Sequence, residues 1–335
     1  MSLLLTVVVV AAAPLRCLTY MYNIPPSFEA VCTARGVGLQ SCVATLLLAV
    51  AMPPSAMSVV TMPQAWVALM AACVVMDTPL VGTSLFDGCG SLSTAFQETF
   101  GAAGSVEILN DPEGQDILKA AGVKRYLTLL KSTVVDGVHC FGPPCCSWGF
   151  LTKVKSMRSP SNVLGARFDP WVAMHNRIAS FVAMAITACT ACGVWFMVEN
   201  PKGSLIFEHP AMKAALQTVG ARKVMISLRS FGHSSEKPLW LYGTAPWLEE
   251  LEGLSARLRT AALGRPREQL AYNVDGSVTG NSDALSESAA YPADFSRAIA
   301  SLHHDFMQRL KRVAEPQTSI EKRRRVADAD IEDDV

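Results

Sequence analysis

Charge is scarce in this sequence, and what there is sums to zero. Charged residues make up 17% of the 335 residues and hydrophobic residues 50%, with 29 basic and 29 acidic side chains. An apolar content this high excludes disorder for most of the chain. The neutral sum argues against a strong, sequence-independent binder of nucleic acid, whose surface is normally basic.

Long hydrophobic runs are also absent. The apolar runs at residues 3–13, 42–52 and 66–76 are separated by prolines. Each run is shorter than the roughly 18 residues that a membrane span needs, so no firm membrane partner is predicted. A signal peptide would carry a basic residue ahead of its apolar run, and none precedes the first run. We interpret residues 1–82 as an apolar extension of unknown role, with a targeting or membrane-associating segment as the alternative.

Regular cysteine spacing is missing as well. Ten cysteines without a repeating pattern do not form a disulfide framework and favour a reducing compartment. Cys189 and Cys192 have the spacing of metal ligands, but no second pair accompanies them, so no metal is predicted. Residues 316–335 combine a basic run, Lys322 to Arg325, with a block of acids, which predicts a charged, disordered tail. Because basic runs also serve as nuclear-import signals, we expect a nuclear or other intracellular location.

Strand and helix patterns alternate between these two ends. Apolar runs predict strands at residues 83–86, 106–109, 134–141, 194–198, 223–228 and 239–242, and helices at residues 91–100, 116–131, 171–192, 211–219 and 295–313. This order predicts one α/β domain at residues 83–315, with a mostly parallel sheet and helices on both faces. Ligands of such domains bind beyond the carboxyl ends of the strands.

Two glycines follow the first predicted strand, in the turn formed by Phe86, Asp87, Gly88, Cys89 and Gly90. Glycine lets a ligand approach the backbone closely, and the start of the next helix, which Ser91 is expected to cap, offers free N–H groups. By analogy with dinucleotide-binding folds, an acid after the second strand suits a ribose diol. The candidates are Asp111 and Glu107, for which a helix cap or a surface position is the alternative.

The segment from Gly142 to Trp148 is more specific. Pro143 and Pro144 fix the backbone and hold Cys145 in a stiff loop, where a thiol can act as a nucleophile. The alternative is a structural cysteine in a tight turn. Glu199 and Asn200 follow a strongly apolar strand, and a carboxyl group that emerges from such a strand can be partly desolvated, with a raised pKa that lets it donate a proton. The alternative, which this motif alone favours, is a turn in which Asn200 and Pro201 end the strand and Glu199 is solvated.

Taken in this order, the three segments resemble motifs of the DNA (cytosine-5) methyltransferase family. The turn at Phe86 resembles its S-adenosylmethionine loop, the sequence Gly-Pro-Pro-Cys ending at Cys145 resembles its catalytic loop, and Glu199-Asn200 resembles its Glu-Asn motif. The sequence Ala-Tyr-Pro around Tyr291 resembles the last motif, which closes the cofactor site. The resemblance covers about residues 83–305.

The resemblance implies a Rossmann-like, S-adenosylmethionine-dependent methyltransferase that acts on cytosine C5 in DNA. It implies a covalent bond from Cys145 to C6 of a base taken out of its stack, and hydrogen bonds from Glu199 to that base. Asn200 and Ser147 would support the two loops. The cofactor would lie against Phe86, Asp87, Gly88, Gly90 and Pro143, with Asp111 or Glu107 at its ribose.

The chain also departs from the family pattern. The Gln-x-Arg-x-Arg motif expected after Phe231-Gly232 is missing, and the target-recognition region near residues 244–290 is short. Two alternatives therefore stay open. One is a catalytically degenerate methyltransferase-fold protein that serves as a nucleic-acid-binding or interaction module. The other is a methyltransferase that acts on RNA.

Local charge favours a nucleic-acid partner, with DNA expected and RNA as the alternative. Residues 119–167 contain eight basic side chains and one acidic side chain. Basic clusters near a nucleic-acid site usually contact phosphates, and here they would be Lys153, Lys155, Arg158 and Arg167. The alternative is a set of solvated helix faces and loops. Nothing in the sequence predicts an oligomeric state.

Overall fold

Apolar segments separated by glycine, proline and acidic turns form the strands of this domain. The computed structural model describes residues 78–332, apart from residues 150–151, 235, 262–270, 273–277 and 280–289. The described part of the chain thus begins just before the first strand. Most of the predicted apolar extension, residues 1–77, and the last three residues lie outside the described residues.

Six strands form one sheet. They are β1 (Leu80–Leu85), β2 (Ala103–Val106), β3 (Thr133–Phe141), β4 (Trp195–Pro201), β5 (Arg222–Ser227) and β6 (Pro238–Gly243), in the order β2-β1-β3-β4-β6-β5. The first four strands run parallel, whereas β6 is antiparallel to both β4 and β5. Two short strands, β7 (Ala271–Tyr272) and β8 (Val278–Thr279), pair separately. The fold is α/β with a mostly parallel mixed sheet, and this is compatible with a Rossmann-like fold.

The described part of the chain contains seven helices. They are α1 (Ser91–Phe100), α2 (Ala120–Ser132), α3 (Lys153–Ser156), α4 (Pro170–Ala191), α5 (Pro210–Thr218), α6 (Leu248–Ala261) and α7 (Ala293–Glu332), with short 3-10 helices at Ile206–Glu208 and Leu228–Phe231. Within the described residues, α4 alone is long and apolar enough to cross a membrane, and most of it is buried inside the protein. Its apolar surface is therefore used by the core.

Helices cover both faces of the sheet, as predicted. Successive residues of a strand point to opposite faces. Phe196 and Val198 of β4 belong to a core with α2, α4 and α5, whereas Met197 between them belongs to a second core with α1, α6 and α7. The sheet is thus buried on both sides, and its open ends are left for a site.

The topology defines where such a site should lie. From β1 the chain crosses to β2 at the edge of the sheet and returns to place β3 on the other side of β1. Ligands of open α/β sheets bind at this kind of switch point, at the carboxyl ends of the strands. The Gly142 N–H after β3 donates to the Leu85 carbonyl at the end of β1 (3.0 Å), so the two loops begin side by side.

Two local predictions were wrong, and the direction of one strand was not predicted. The second strand ends at Val106 rather than beginning there, because the four residues from Ala103 pair with β1 and leave Ile108 and Leu109 exposed. Strand β6 is antiparallel, because the ten residues that follow β5 are too few for the dozen or so that a parallel crossover needs. Ser91 does not cap α1, since the residue at its N-terminal boundary is Gly90.

Two further segments differ from expectation. Helix α7 continues through residues 316–332, where the sequence predicts a disordered tail. That segment is rich in Ala, Glu, Lys and Arg, which favour helix. Helix α6 occupies the beginning of the predicted target-recognition region. Its Ser255 hydroxyl accepts a hydrogen bond from Ser227 of β5 (3.1 Å), so this part belongs to the domain core.

Candidate active site

The turn after β1 forms one wall of the switch point. Phe86, Gly88 and Gly90 adopt positive φ angles of 61°, 59° and 78°. A Cβ atom on Gly88 would have no neighbour within 4 Å, so open space lies beside this backbone. The turn therefore offers a surface that a ligand can approach closely.

Asp87 has a structural role within this turn. Its buried carboxylate accepts hydrogen bonds from the N–H groups of Leu92 (3.1 Å) and Ser93 (2.8 Å) at the start of α1. Burial raises the pKa of the Asp87 carboxyl, and these hydrogen bonds oppose that rise. Two N–H groups that we expected to be free for a ligand are therefore already occupied.

The two candidate acids after β2 differ in position. Glu107 is buried, and its carboxylate accepts hydrogen bonds from the N–H groups of Gly88 (2.8 Å) and Leu109 (3.1 Å). Asp111 is exposed and accepts from the N–H groups of Glu113 and Gly114 within its own turn. The structure thus brings Glu107 to the glycine turn, and Asp111 does not share in this contact.

The loop after β3 carries the two vicinal cysteines. Pro143 is buried, and its carbonyl accepts a hydrogen bond from the Asn200 side-chain amide (2.8 Å), which ties the loop to β4. Cys145 and Cys146 are exposed, while Ser147 and Trp148 are buried beneath them. The predicted supporting residues, Asn200 and Ser147, therefore lie under the loop that presents Cys145.

Glu199 is held in place by Tyr291. The Tyr291 hydroxyl donates a short hydrogen bond to Glu199 Oε1 (2.5 Å). The hydroxyl also lies where a side chain on Gly142 would be, 2.2 Å from the position of a Cβ atom, so only glycine fits there. Glu199 Oε2 is buried without a hydrogen-bond partner among the residues that the structure describes. An unpartnered buried carboxylate oxygen is costly unless a ligand supplies a donor.

Electrostatics link Cys145 to Glu199 and Lys237. Loss of water raises the pKa of the Cys145 thiol even though the residue reaches solvent, the charge of Glu199 raises it further, and the Lys237 ammonium lowers it. Burial also raises the pKa of the Glu199 carboxyl, against the opposing effects of Tyr291 and Lys237. A thiol, a carboxyl group and an amine therefore share one site at the ends of β3 and β4.

Arg158 does not lie where we expected it. Its guanidinium is buried, stacks 3.5 Å from the centre of the Trp148 ring and donates two hydrogen bonds to the Ser147 hydroxyl (3.0 and 2.9 Å). It also donates to Asn176 and to the Val163 carbonyl. No carboxylate contacts it within the described part of the chain. Arg158 supports the cysteine loop from below and is not available to a phosphate.

The other three basic candidates are accessible. Lys153, Lys155 and Arg167 are exposed on the segment that follows the cysteine loop. The Lys155 ammonium lies 4.4 Å from the centre of the Trp171 ring, at the beginning of α4. All three charged groups therefore reach solvent.

The sequence did not single out every residue at this site. Lys237 stands where the expected motif is missing, and only the antiparallel pairing of β6 with β4 carries it to Glu199. The family resemblance places Tyr291 in the motif that closes the cofactor site. Nothing in the sequence predicts the hydrogen bond from its hydroxyl group to Glu199. Among the described residues, no three His, Cys, Asp or Glu side chains are arranged to hold a metal ion.

Comparisons with other proteins do not assign the chain to a family. No protein-family profile matches the chain, and no protein of curated function is significantly similar to it. The functional interpretation therefore depends on the residues and their geometry.

Proposed function

We propose that this protein transfers a methyl group from S-adenosylmethionine to C5 of cytosine in DNA, with Cys145 as the nucleophile. The observation that carries the proposal is the arrangement of Cys145 and Glu199. An accessible thiol lies within electrostatic range of a buried carboxyl group that has an unpartnered oxygen. Addition to a pyrimidine ring needs both groups, a nucleophile for C6 and a hydrogen-bonding group for the edge of the base.

The glycine turn and Glu107 fit the cofactor. Gly88 has open space beside its backbone, and the Glu107 carboxylate is fixed next to it. The turn would receive the body of the cofactor and Glu107 its ribose hydroxyls. When bound, S-adenosylmethionine supplies an electrophilic methyl group. Asp87 holds α1 in position behind the turn.

Cys145 supplies the covalent step. Its thiolate adds to C6 of a cytosine that has left its stack, which gives C5 the electron density to accept a methyl group. Because burial and Glu199 raise the pKa of this thiol, Lys237 is the residue that favours the thiolate. Loss of the C5 proton to a water molecule, with return of the N3 proton to Glu199, then expels the thiolate and restores the enzyme.

Glu199 provides the complementary hydrogen bonds. With a raised pKa, its carboxyl group can donate a proton to N3 as the thiolate adds, while an oxygen accepts from the exocyclic amine. Tyr291 donates to Oε1, so Oε2 is free to carry the proton to N3, and the second lone pair of Oε1 is left for the exocyclic amine. Lys153, Lys155 and Arg167 would contact phosphates of the same nucleic acid.

A methyl-transfer assay with matched cysteine variants tests this proposal. The full chain is incubated with methyl-labelled S-adenosylmethionine and with cytosine-containing DNA or RNA. We expect label in DNA, its loss by at least about 1,000-fold in Cys145→Ser, and a much smaller change in Cys146→Ser. Label in RNA alone would identify the RNA enzyme. Cofactor binding without any transfer would identify the degenerate module and contradict the proposal.

A further inference from the structure

Cys146, the neighbour of Cys145, has a base of its own. Its exposed sulfur lies 3.1 Å from Nε2 of the buried His175. The other ring nitrogen, Nδ1, lies 2.7 Å from the Trp171 carbonyl. Because a carbonyl oxygen can only accept, Nδ1 carries the hydrogen in the neutral ring and Nε2 presents a lone pair to the thiol.

The sequence around His175 fixes this geometry. Asp169 caps α4, and its carboxylate accepts from the N–H groups of Trp171 (2.9 Å) and Val172 (3.0 Å). His175 follows one turn later, so its ring returns to the Trp171 carbonyl and packs edge-on against the Trp171 ring, with centres 4.8 Å apart. The imidazole is therefore held in one orientation and one tautomer.

The surroundings make this a neutral pair. Burial raises the pKa of the Cys146 thiol and lowers the pKa of His175. Both groups are therefore uncharged near neutral pH, and the proton moves only when the sulfur attacks, as in general-base catalysis. Lys155 adds a positive charge that acts on the Cys146 thiol and can stabilise a leaving oxygen.

We propose that Cys146 and His175 form a second reactive centre, at which a hydroperoxide oxidises Cys146 to sulfenic acid. The sulfur attacks the hydroxyl oxygen of the peroxide, and the S–O bond forms as the O–O bond breaks. His175 Nε2 takes the thiol proton and returns it to the departing oxygen, which leaves as an alcohol or as water. Sulfur loses two electrons and the peroxide gains them.

The sulfenic acid should not be trapped by Cys145. Adjacent Cα atoms are about 3.8 Å apart across a trans peptide, whereas the Cα atoms of a disulfide are usually about 4.4–6.8 Å apart, so a disulfide between adjacent cysteines would be strained and easily reduced. The modification would therefore persist until a small thiol reduces it, through a mixed disulfide and a second thiol. The methyl-transfer mechanism does not use Cys146, so the two proposals can be tested independently.

Residue-resolved oxidation kinetics test the centre. The full chain is treated with hydrogen peroxide, sulfenic acid is captured with dimedone, and each cysteine is quantified by mass spectrometry. Cys89 is the internal control, because it is exposed and contacts only a hydroxyl group, that of Ser91 (3.0 Å), among the described side chains. We expect Cys146 to react at least about tenfold faster than Cys89. Equal rates, or a faster Cys89, would overturn the proposal.

Variants at His175 separate chemistry from folding. Asn at this position keeps a donor for the Trp171 carbonyl and removes the base, so His175→Asn should slow Cys146 at least about tenfold and leave Cys89 unchanged. An unchanged Cys146 rate would refute the assignment. Cys145→Ser should retain Cys146 oxidation, so failure of the methyl-transfer proposal and failure of this one give different results.

Discussion

Arg158 shows how a single residue can be misassigned from its charge. In the sequence it is one of eight basic residues in a basic stretch, which favours a phosphate contact. In the structure its five donors are turned inward to Ser147, Asn176 and backbone carbonyls. Burial alone lowers its pKa to about 10, so it remains charged at neutral pH. The planar guanidinium group donates to several acceptors at once, and the single ammonium group of a lysine cannot make the same set of hydrogen bonds.

We therefore expect Arg158→Lys to destabilise the protein by about 2–4 kcal/mol, because several buried hydrogen bonds to a charged group are lost. Urea unfolding followed by circular dichroism measures this change. Arg167→Lys is the matched control, since Arg167 is exposed on the same segment and its replacement should stay within about 0.5 kcal/mol. Equal, small effects of the two variants would show that Arg158 is not a buried support.

Cys145 gives a second prediction at the residue scale, on pH. The negative charge of Glu199 raises the pKa of the thiol, so Glu199→Gln should lower that pKa and move the pH midpoint of Cys145 alkylation downward. Lys237→Met should move the midpoint upward, because the ammonium group has the opposite effect. Iodoacetamide labelling across the alkaline range, quantified at Cys145, measures both shifts. If neither variant moves the midpoint, the three side chains do not share a site.

Site residues that lie in a distinctive motif could be predicted from the sequence. Site residues that reach the site from distant parts of the sequence could not. Cys145 follows β3 and Glu199 lies near the end of β4, and the two come within electrostatic range because β3 and β4 are neighbours. His175 reaches Cys146 across 29 positions of sequence, and Tyr291 reaches Glu199 across 92. Spacing carries no signal over such distances, so only the tertiary structure reveals these pairs.

The strands of the sheet also differ in how well the sequence predicts them. Buried strands β3 and β4 have apolar runs that predict them within one to three residues. The edge strand β2 is short, and its apolar neighbours Ile108 and Leu109 are exposed, so composition misplaced it. The direction of β6 depended on the length of its connection rather than on its residues.

Packing of α1 on the sheet gives a prediction at the scale of elements. A Cβ atom on Gly82 of β1 would lie 2.4 Å from the Phe96 ring of α1, so this strand position requires glycine. Gly82→Ala should cost about 1–3 kcal/mol in thermal or urea unfolding, because α1 must move. Gly203→Ala should stay within about 0.5 kcal/mol, since its Cβ would meet nothing within 4 Å.

Adding Phe96→Leu should recover part of the loss in Gly82→Ala, because the smaller side chain makes room. Strict additivity of the two substitutions would contradict the contact between β1 and α1.

At the scale of the whole molecule, a net charge of zero is compatible with a nucleic-acid substrate. Lys153, Lys155 and Arg167 provide a small accessible basic group next to the cysteine loop. The acids that balance the total belong to other parts of the chain. This arrangement favours local, moderate phosphate binding at an active site, whose affinity should fall with rising salt.

The proposed mechanism requires a covalent bond between Cys145 and cytosine C6, which can be trapped on DNA that contains 5-fluorocytosine. Fluorine at C5 cannot leave as the proton does, so the adduct should accumulate in the presence of S-adenosylmethionine. We expect a denaturation-resistant complex that maps to Cys145, persists in Cys146→Ser and is absent in Cys145→Ser. A chain that binds the cofactor and the DNA yet forms no adduct, or forms it at another residue, would contradict the account.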